Sequence, residues 1–332
     1  MHLSFAVKQK QPWLKNMLAA GFAASFAVMA TSAWAEDYPV TPAIPGVVAG
    51  GLHIRLIKEG FTGTEGPLGL PDGSLIFTET QANRITRIDE NDNVTTYIAD
   101  SNGANGLALG PGGELYAVQT LKPRVGIIHP AEKAKVLAEK YNGKPLNRPN
   151  DLVLDKKGGI YFTDPGLNGP AKPDQAPTQP AVYYIKPSGE LVLIDNEIKR
   201  PNGIQLSPDE KVLYVANTAG EYVIAFDVAA DGSVSNKRNF AKLEDALQNT
   251  ENGPSSGADG LAVDAEGRLY VAANPGIQVF SPTGEFLGNI KLPKKAQNIA
   301  FAGKDKRTFY IVGRGAAYKF PTLAQGYTGR AK

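Results

Sequence analysis

Six polar side chains recur at one position of a repeated sequence pattern: Glu65, Asn105, Asn150, Asn202, Asp259 and Asn298. Each opens a copy in which an apolar segment, a turn and a second apolar segment follow, as in "NDLVLDKKGGIYFTD" from Asn150. All six carry a carboxylate or carboxamide oxygen, the ligand type that Ca²⁺ and other hard cations prefer. Singly, such residues are more often turn formers. Six in register favour a metal site, in which two carboxylates would balance a divalent ion.

The repeat also predicts the elements that must position these side chains. Successive copies begin 40, 45, 52, 57 and 39 residues apart. Alternating apolar residues on both sides of a Gly- or Asp-containing turn are typical of β-hairpins. Further strand-like segments such as "VYYIKP" and "IQVFSP" follow most copies. This pattern predicts an all-β fold, a six-bladed β-propeller of four-stranded blades, whose innermost strands line one axis. A two-sheet sandwich, the alternative, would not need six equivalent strand pairs.

The segment "HIRLIKEGF", from His53 to Phe61, precedes the first copy and lacks a hairpin partner of its own. We expect it to supply the outer strand of the last blade, which would close the ring and protect its edges. The sequence thus predicts a single propeller domain over residues 36–332.

The first 35 residues have the pattern of a secretory signal peptide. Three lysines, at positions 8, 10 and 15, precede the apolar run "MLAAGFAASFAVMA" and the ending "AWA". This order predicts cleavage after Ala35 and a periplasmic or secreted protein. An uncleaved membrane anchor is the alternative, but the apolar run is short beside the roughly 20 residues of a spanning helix.

Composition excludes several classes of function. Without the three lysines, the chain has 32 basic and 33 acidic residues. Such a nearly neutral protein has no basic field that would attract nucleic acid, and we expect no membrane contact after cleavage. The chain has no cysteine, which excludes disulfides and thiolate catalysis. Only His53 and His129 follow the predicted cleavage point, which disfavours a histidine zinc site. Nothing in the sequence indicates an oligomeric state.

Two arginines stand beside the predicted axis, in the paired segments "RPN" that contain Arg148 and Arg200. An arginine there could bind a substrate carbonyl or carboxylate. The alternative is a structural arginine that binds loop carbonyls. We favour substrate binding for Arg148 over Arg200, because one cation suffices to polarise a small substrate.

Four segments carry a resemblance to a known family: "TEGPLGLPDGSLIFTE", "RPNDLVLDKKGGIYFTDP", "RPNGIQLSPDEKVLYVANT" and "ADGLAVDAEGRLYVAA". In this order they resemble the senescence-marker/gluconolactonase/luciferin-regenerating-enzyme-like family, over about His53 to Phe320. The resemblance implies a six-bladed propeller with one divalent metal ion at its axis and, as in many members, lactonase activity.

Residue by residue, the resemblance implies Glu65, Asn150, Asn202 and Asp259 as metal ligands. It implies Arg148 on the substrate side, where we also expect Asn150 and Asn105. It leaves Asn105 and Asn298 outside the ligand set, as candidates that lie next to the ligands. We expect Ca²⁺, with Zn²⁺, Mn²⁺ or Mg²⁺ as alternatives. Asp259 would be the general base that helps water open a lactone.

Other features leave the substrate open. Bacterial gluconolactonases often carry an acidic residue and a His where this chain has Gln119 and Thr120, so specificity for sugar lactones does not follow. The Pro- and Gly-rich loop over residues 166–180 could cover the site, or could be a stiff surface loop. Two alternative functions remain: a non-catalytic, metal-stabilised propeller that binds a ligand or a protein, and a phosphotriesterase-like hydrolase with Asp259 as nucleophile.

Overall fold

The repeated hairpin forms because its turn is encoded locally. In the first copy, the N–H of Leu70 donates to the carbonyl oxygen of Ser74, and Gly73 has a φ of +90° that other residues rarely adopt. The Asp72 carboxylate accepts the N–H of Ser74 at 2.9 Å and so holds the turn. The computed structural model describes residues 39–167 and 179–330.

The described residues form six four-stranded antiparallel sheets, and the predicted propeller is confirmed. Strand β1 (Arg55–Glu59) comes first in the chain. Blade 1 contains β2 (Thr64–Gly69), β3 (Leu75–Glu79), β4 (Arg84–Ile88) and β5 (Val94–Ile98). Blade 2 contains β6 (Ala104–Leu109), β7 (Leu115–Gln119), β8 (Arg124–His129) and β9 (Lys135–Ala138), with a 3₁₀ turn at Ala131–Lys133.

The other blades repeat this order. A short hairpin, β10 (Lys140–Tyr141) and β11 (Lys144–Pro145), precedes blade 3, which contains β12 (Leu152–Leu154), β13 (Ile160–Asp164), β14 (Ala181–Ile185) and β15 (Leu191–Asp195). Blade 4 contains β16 (Pro201–Leu206), β17 (Val212–Asn217), β18 (Tyr222–Val228) and β19 (Val234–Lys242). A second hairpin, β20 (Gln248–Thr250) and β21 (Gly253–Ser255), precedes blade 5, which contains β22 (Leu261–Val263), β23 (Leu269–Ala273), β24 (Gly276–Phe280) and β25 (Phe286–Ile290). Blade 6 contains β26 (Asn298–Ala302), β27 (Thr308–Gly313) and β28 (Ala316–Pro321).

The last blade is completed by the N-terminal strand, as the sequence predicted. Strand β1 pairs antiparallel with β28, with Arg55 opposite Lys319 and Glu59 opposite Ala316. The six innermost strands contact one another in the closed order β2, β6, β12, β16, β22, β26 and back to β2. The first and last strands of the propeller therefore share one sheet, and the ring closes through backbone hydrogen bonds.

The core lies between adjacent blades, because both faces of each inner strand are covered. Every residue of β3, β13 and β23 is buried. Between blades 5 and 6, the rings of Tyr270, Phe301 and Phe309 pack edge to face or tilted, with centroids 4.8–5.3 Å apart. Within the described ranges, no helix is long and apolar enough to cross a membrane.

Candidate metal centre and active site

The six predicted residues all lie at the start of the innermost strands. Glu65, Asn105, Asn202 and Asn298 belong to β2, β6, β16 and β26, whereas Asn150 and Asp259 stand two residues before β12 and β22. Pairing with the second strand is irregular beside three of them, between Glu65 and Leu68, Ala104 and Leu107, and Pro201 and Ile204. Such bulges redirect side chains, here at the rim of the channel.

Glycine follows the site residue in four blades, at Gly66, Gly106, Gly203 and Gly260. A Cβ on Gly203 would lie 2.2 Å from the carbonyl oxygen of Asp259, and one on Gly66 would lie 2.0 Å from that of Asn105. The N–H of Gly106 donates to the carbonyl oxygen of Asn150 at 2.8 Å. Glycine therefore lets the innermost strands approach backbone to backbone, which draws the six site residues toward one axis.

The ring of site residues closes between the last blade and the first. The Asn298 side-chain amide donates to Glu65 Oε2 at 3.2 Å, and the Gln297 amide donates to Glu65 Oε1 at 3.4 Å. Glu65 is 7% exposed. Two neutral side-chain amides therefore donate to the Glu65 carboxylate, and one of them belongs to Asn298.

Buried oxygens at this ring have the chemistry of a cation site. Among the described residues, Asn105 Oδ1 and Asn202 Oδ1 are shielded from solvent and receive no hydrogen bond. The Asn202 amide nitrogen donates to Thr218 Oγ1 at 3.2 Å, so its oxygen faces the other way. A buried acceptor left in this state costs about 1–3 kcal/mol, a cost that a bound cation would remove at Asn202 and a substrate donor would remove at Asn105.

The donor set contains no soft ligand. Nowhere in the described part of the chain do three or more His, Cys, Asp or Glu side chains cluster as a metal site. The candidate centre instead combines the carboxylates of Glu65 and Asp259 with carboxamides. This set fits Ca²⁺ or a similar hard ion and would not select a thiolate- or imidazole-binding metal.

The backbone of Arg148 is positioned by a carboxylate that the sequence analysis did not single out. Asp164, at the end of β13, accepts the N–H of Asn147 at 2.7 Å and that of Arg148 at 2.9 Å. Burial raises the pKa of this carboxyl, against the opposing effect of these hydrogen bonds. The N–H of Asn150 donates to the carbonyl oxygen of Thr163 at 2.8 Å. Asp164 therefore fixes the backbone that carries the predicted substrate-side arginine.

In other blades too, a polar side chain at the end of the second strand binds the backbone that leads to the site residue. Glu79 accepts the N–H of Thr62 at 3.0 Å, and Asn217 accepts that of Arg200 at 3.4 Å. Gln119 donates to the carbonyl oxygen of Ser101 at 2.7 Å. The signal was available in the sequence, because polar residues close "LIFTE", "LYAVQ", "IYFTD" and "LYVAN" in register. The Gln119 side chain therefore binds the backbone that precedes Asn105.

A second unpredicted carboxylate, Asp151, is fully buried next to Asn150. Its Oδ1 accepts the N–H of Leu152 at 3.0 Å, and its Oδ2 accepts that of Ile204 at 3.5 Å. Asp151 therefore joins blade 3 to blade 4 beside the axis. Most of the loop over residues 166–180 and the predicted signal peptide lie outside the described residues.

Comparisons with known proteins agree with the fold. Residues 63–314 match the family model described as "SMP-30/Gluconolactonase/LRE-like region". The chain belongs to this family. It is 29% identical over 273 residues to a gluconolactonase of Zymomonas mobilis, covering 75% of each chain. It is 30% identical over 244 residues to human regucalcin, covering 72% of this chain and 78% of regucalcin.

A solved structure of a gluconolactonase from Xanthomonas campestris superposes on this family member with a TM-score of 0.72 at 27% identity. The alignment covers 86% of this chain and 97% of that one. The predicted family is therefore confirmed by sequence and by structure.

Proposed function

We propose that this protein is an exported, divalent-metal-dependent hydrolase that opens a lactone. The observation that carries the proposal is the ring of oxygen donors at the propeller axis, which includes two carboxamide oxygens that are buried without a hydrogen bond from the described residues. The gluconolactonases among its relatives favour a lactone as the small-molecule substrate.

Glu65, Asn150, Asn202 and Asp259 are the residues that would hold the metal ion. Ca²⁺ fits their oxygens best, and Zn²⁺, Mn²⁺ and Mg²⁺ are the alternatives. Such an ion, when bound, would supply Lewis-acid polarisation of the lactone carbonyl. As one of its ligands, Asp259 would have a lowered carboxyl pKa and be a weaker base, unless the ion also acidifies the attacking water or Asp259 is bound loosely.

The protein's own groups would bind the substrate and move a proton. The Arg148 guanidinium and the Asn150 and Asn105 carboxamides would orient the lactone. Asp259 would accept a proton from the attacking water at its carboxylate as the new C–O bond forms. The ring C–O bond would then break, and Asp259 would return the proton to the departing alkoxide, which gives a hydroxy acid.

A substrate panel tests this proposal. Aldonolactones, aliphatic lactones, aryl esters and phosphotriesters should each be assayed with Ca²⁺, Zn²⁺, Mn²⁺ and Mg²⁺ added to metal-free protein. We expect metal-dependent turnover to be greatest with a lactone. Turnover confined to phosphotriesters would replace the proposal with a phosphotriesterase, and turnover of no substrate would indicate a binding propeller.

A further inference from the structure

A lysine that neither the sequence pattern nor the family resemblance singled out lies at the rim of the candidate site. Lys295 stands three residues before β26, and its ammonium donates to Asn274 Oδ1 at 2.6 Å. The Asn274 amide in turn donates to the carbonyl oxygens of Ala246 and Ser255, both at 2.8 Å. A neutral amide that is itself fixed at two points therefore sets the position of the ammonium.

Lys295 lies close to the segment that carries Asp259. A Cβ on Gly257, two residues before Asp259, would lie 2.3 Å from Lys295 Nζ and 2.1 Å from Asn274 Oδ1. Gly257 also has a φ of +64°. Glycine at this position thus leaves the space that the lysine and the amide occupy beside Asp259.

Charges of both signs act on Lys295, and the Asp259 carboxylate has the strongest effect among them. Burial lowers the pKa of Lys295, the Arg314 and Arg200 guanidinium groups lower it further, and the Asp259 carboxylate opposes them. The N–H of Arg314 donates to Gln297 Oε1 at 2.8 Å, which connects this side of the rim to Glu65. Arg314, and Lys295 three residues before β26, therefore both lie on the blade 6 side of the rim.

Neighbouring Lys294 shows a different arrangement. Its ammonium pairs with Glu59 Oε1 at 2.8 Å on the surface. Lys295 is instead partly buried, and its ammonium binds a neutral amide. If a divalent ion neutralised Asp259, Lys295 would be left on a neutral amide and within the repulsion of the Arg314 guanidinium. An anion at the rim would offset that repulsion.

We propose that Lys295, with Arg314, binds a negatively charged group on the substrate. The substrate class is then a lactone that also carries a carboxylate or a phosphate, rather than a neutral lactone. This inference rests on the proposed lactone hydrolysis. Lys295 is a specificity-determining residue in it, and Asp259 and Arg148 remain at the reacting ester.

Two lactones that differ at one carbon test the inference. D-glucaric acid γ-lactone ends in a carboxylate where D-gluconic acid γ-lactone ends in a hydroxymethyl group. We expect the wild type to prefer the glucaric lactone in kcat/KM. Lys295→Met should reduce that preference by at least about tenfold, the value of one charge-assisted hydrogen bond. Lys295→Arg should restore most of it, and Lys294→Met should leave it unchanged.

A third substrate, the gluconic γ-lactone phosphorylated on its terminal hydroxyl, distinguishes the two anions. A preference for it over the glucaric lactone would assign the site to phosphate, and the reverse would assign it to carboxylate. If Lys295→Met lowered kcat/KM for all three lactones by the same factor, or left the order of preference unchanged, anion recognition by Lys295 would be wrong.

Binding of the matching γ-lactams separates this inference from the proposed function. The lactams keep the ring and the terminal group but replace the ester, so calorimetry measures recognition without hydrolysis. Lys295-dependent binding of the glucaric lactam by a protein that hydrolyses no lactone would refute the lactonase and uphold the anion site. If the protein hydrolysed a lactone but Lys295→Met did not change the lactam affinities, the lactonase would be upheld and the anion site refuted.

Discussion

Carboxamides outnumber carboxylates among the six residues at the propeller axis, and this ratio sets the charge of the site. Glu65 and Asp259 contribute two negative charges, and four asparagines contribute neutral oxygens. Two carboxylates suffice to balance a divalent ion, while neutral oxygens complete its coordination without adding repulsion. Each acidic residue therefore has a separable role that substitution can test.

Asp259 is proposed both to bind metal and to act as the base. Asp259→Asn keeps an oxygen of similar size but cannot accept a proton. With the metal site saturated, we expect its kcat to stay at least about 100-fold below that of the wild type, the lower end of the loss for a general base. Steady-state kinetics over a metal titration measure this. Recovery to within a few-fold at saturating metal would show that Asp259 is only a ligand.

Glu65 is expected to dominate metal affinity. Because Glu65→Gln removes a full charge from the ligand set, it should weaken binding by more than about 100-fold, beyond the 10–100-fold typical of outer partners. Asn298→Ala, which removes a hydrogen bond to Glu65, should cost about tenfold or less. Calorimetric titration of the metal-free proteins measures both. Equal affinity of Glu65→Gln and the wild type would remove Glu65 from the ligand set.

The sequence predicted the positions of these residues better than their partners. Glu65 and Asp259 were found because they occupy one register position of the repeat. The contact between Lys295 and Asn274 was not predicted, because it joins two connecting segments that no periodic pattern relates. The role of Asp151 was not predicted, because its partner, the N–H of Ile204, lies in the next blade.

At the scale of the strand, close approach around the axis depends on glycine. A Cβ on Gly203 would meet backbone atoms of blade 5, namely Asp259 O at 2.2 Å and Leu261 N at 3.0 Å. Backbone atoms cannot rotate away as a flexible side chain can. The innermost strands of blades 4 and 5 would have to separate, which would move Asn202 away from Asp259.

Gly203→Ala should therefore lower the free energy of unfolding by about 1–3 kcal/mol, as overpacking does elsewhere, and should also weaken metal binding. Gly112→Ala is the matched control, because the atoms nearest to a Cβ there belong to the flexible side chain of Glu114. Denaturant unfolding and calorimetry measure the two effects. A Gly203→Ala protein with wild-type stability and metal affinity would contradict this account of how the strands meet.

Strands with alternating apolar residues and encoded turns were predictable, whereas the short hairpins were not. The two inner strands of each blade alternate on both sides of a glycine- or aspartate-containing turn. The hairpin β20–β21 lies in "ALQNTENGPSSG", which has no alternation, and its residues are mostly exposed. Its pairing depends on local turn bonds such as that from Thr250 Oγ1 to the Gly253 carbonyl oxygen.

At the scale of the whole molecule, closure joins the beginning of the propeller to its end. Pairing of β1 with β28 was predictable because "HIRLIKEGF" has strand character and no partner nearby. A ring closed in this way can open only if a four-stranded sheet is broken. Closure also keeps blade 6 next to blade 1, where Asn298 contacts Glu65.

Export remains a prediction of the sequence. Expression of the full chain in a Gram-negative host should yield a periplasmic protein whose N-terminus is Glu36, because the lysine-rich start, apolar run and "AWA" ending suit signal peptidase. Intact-mass spectrometry of the periplasmic and membrane fractions measures this. Recovery of chains starting at Met1 from the membrane fraction would overturn the predicted cleavage.

The central claim is that the axial ring of oxygens holds one divalent ion on which lactone hydrolysis depends. The most direct measurement removes metal with a chelator and then titrates Ca²⁺, Zn²⁺, Mn²⁺ or Mg²⁺ back while binding and hydrolysis of one lactone are followed together. We predict that hydrolysis is lost on chelation and returns with a stoichiometry of one ion per chain. Full hydrolysis by the metal-free protein would contradict the account, and so would one tightly bound ion that stabilises the fold without any hydrolysis.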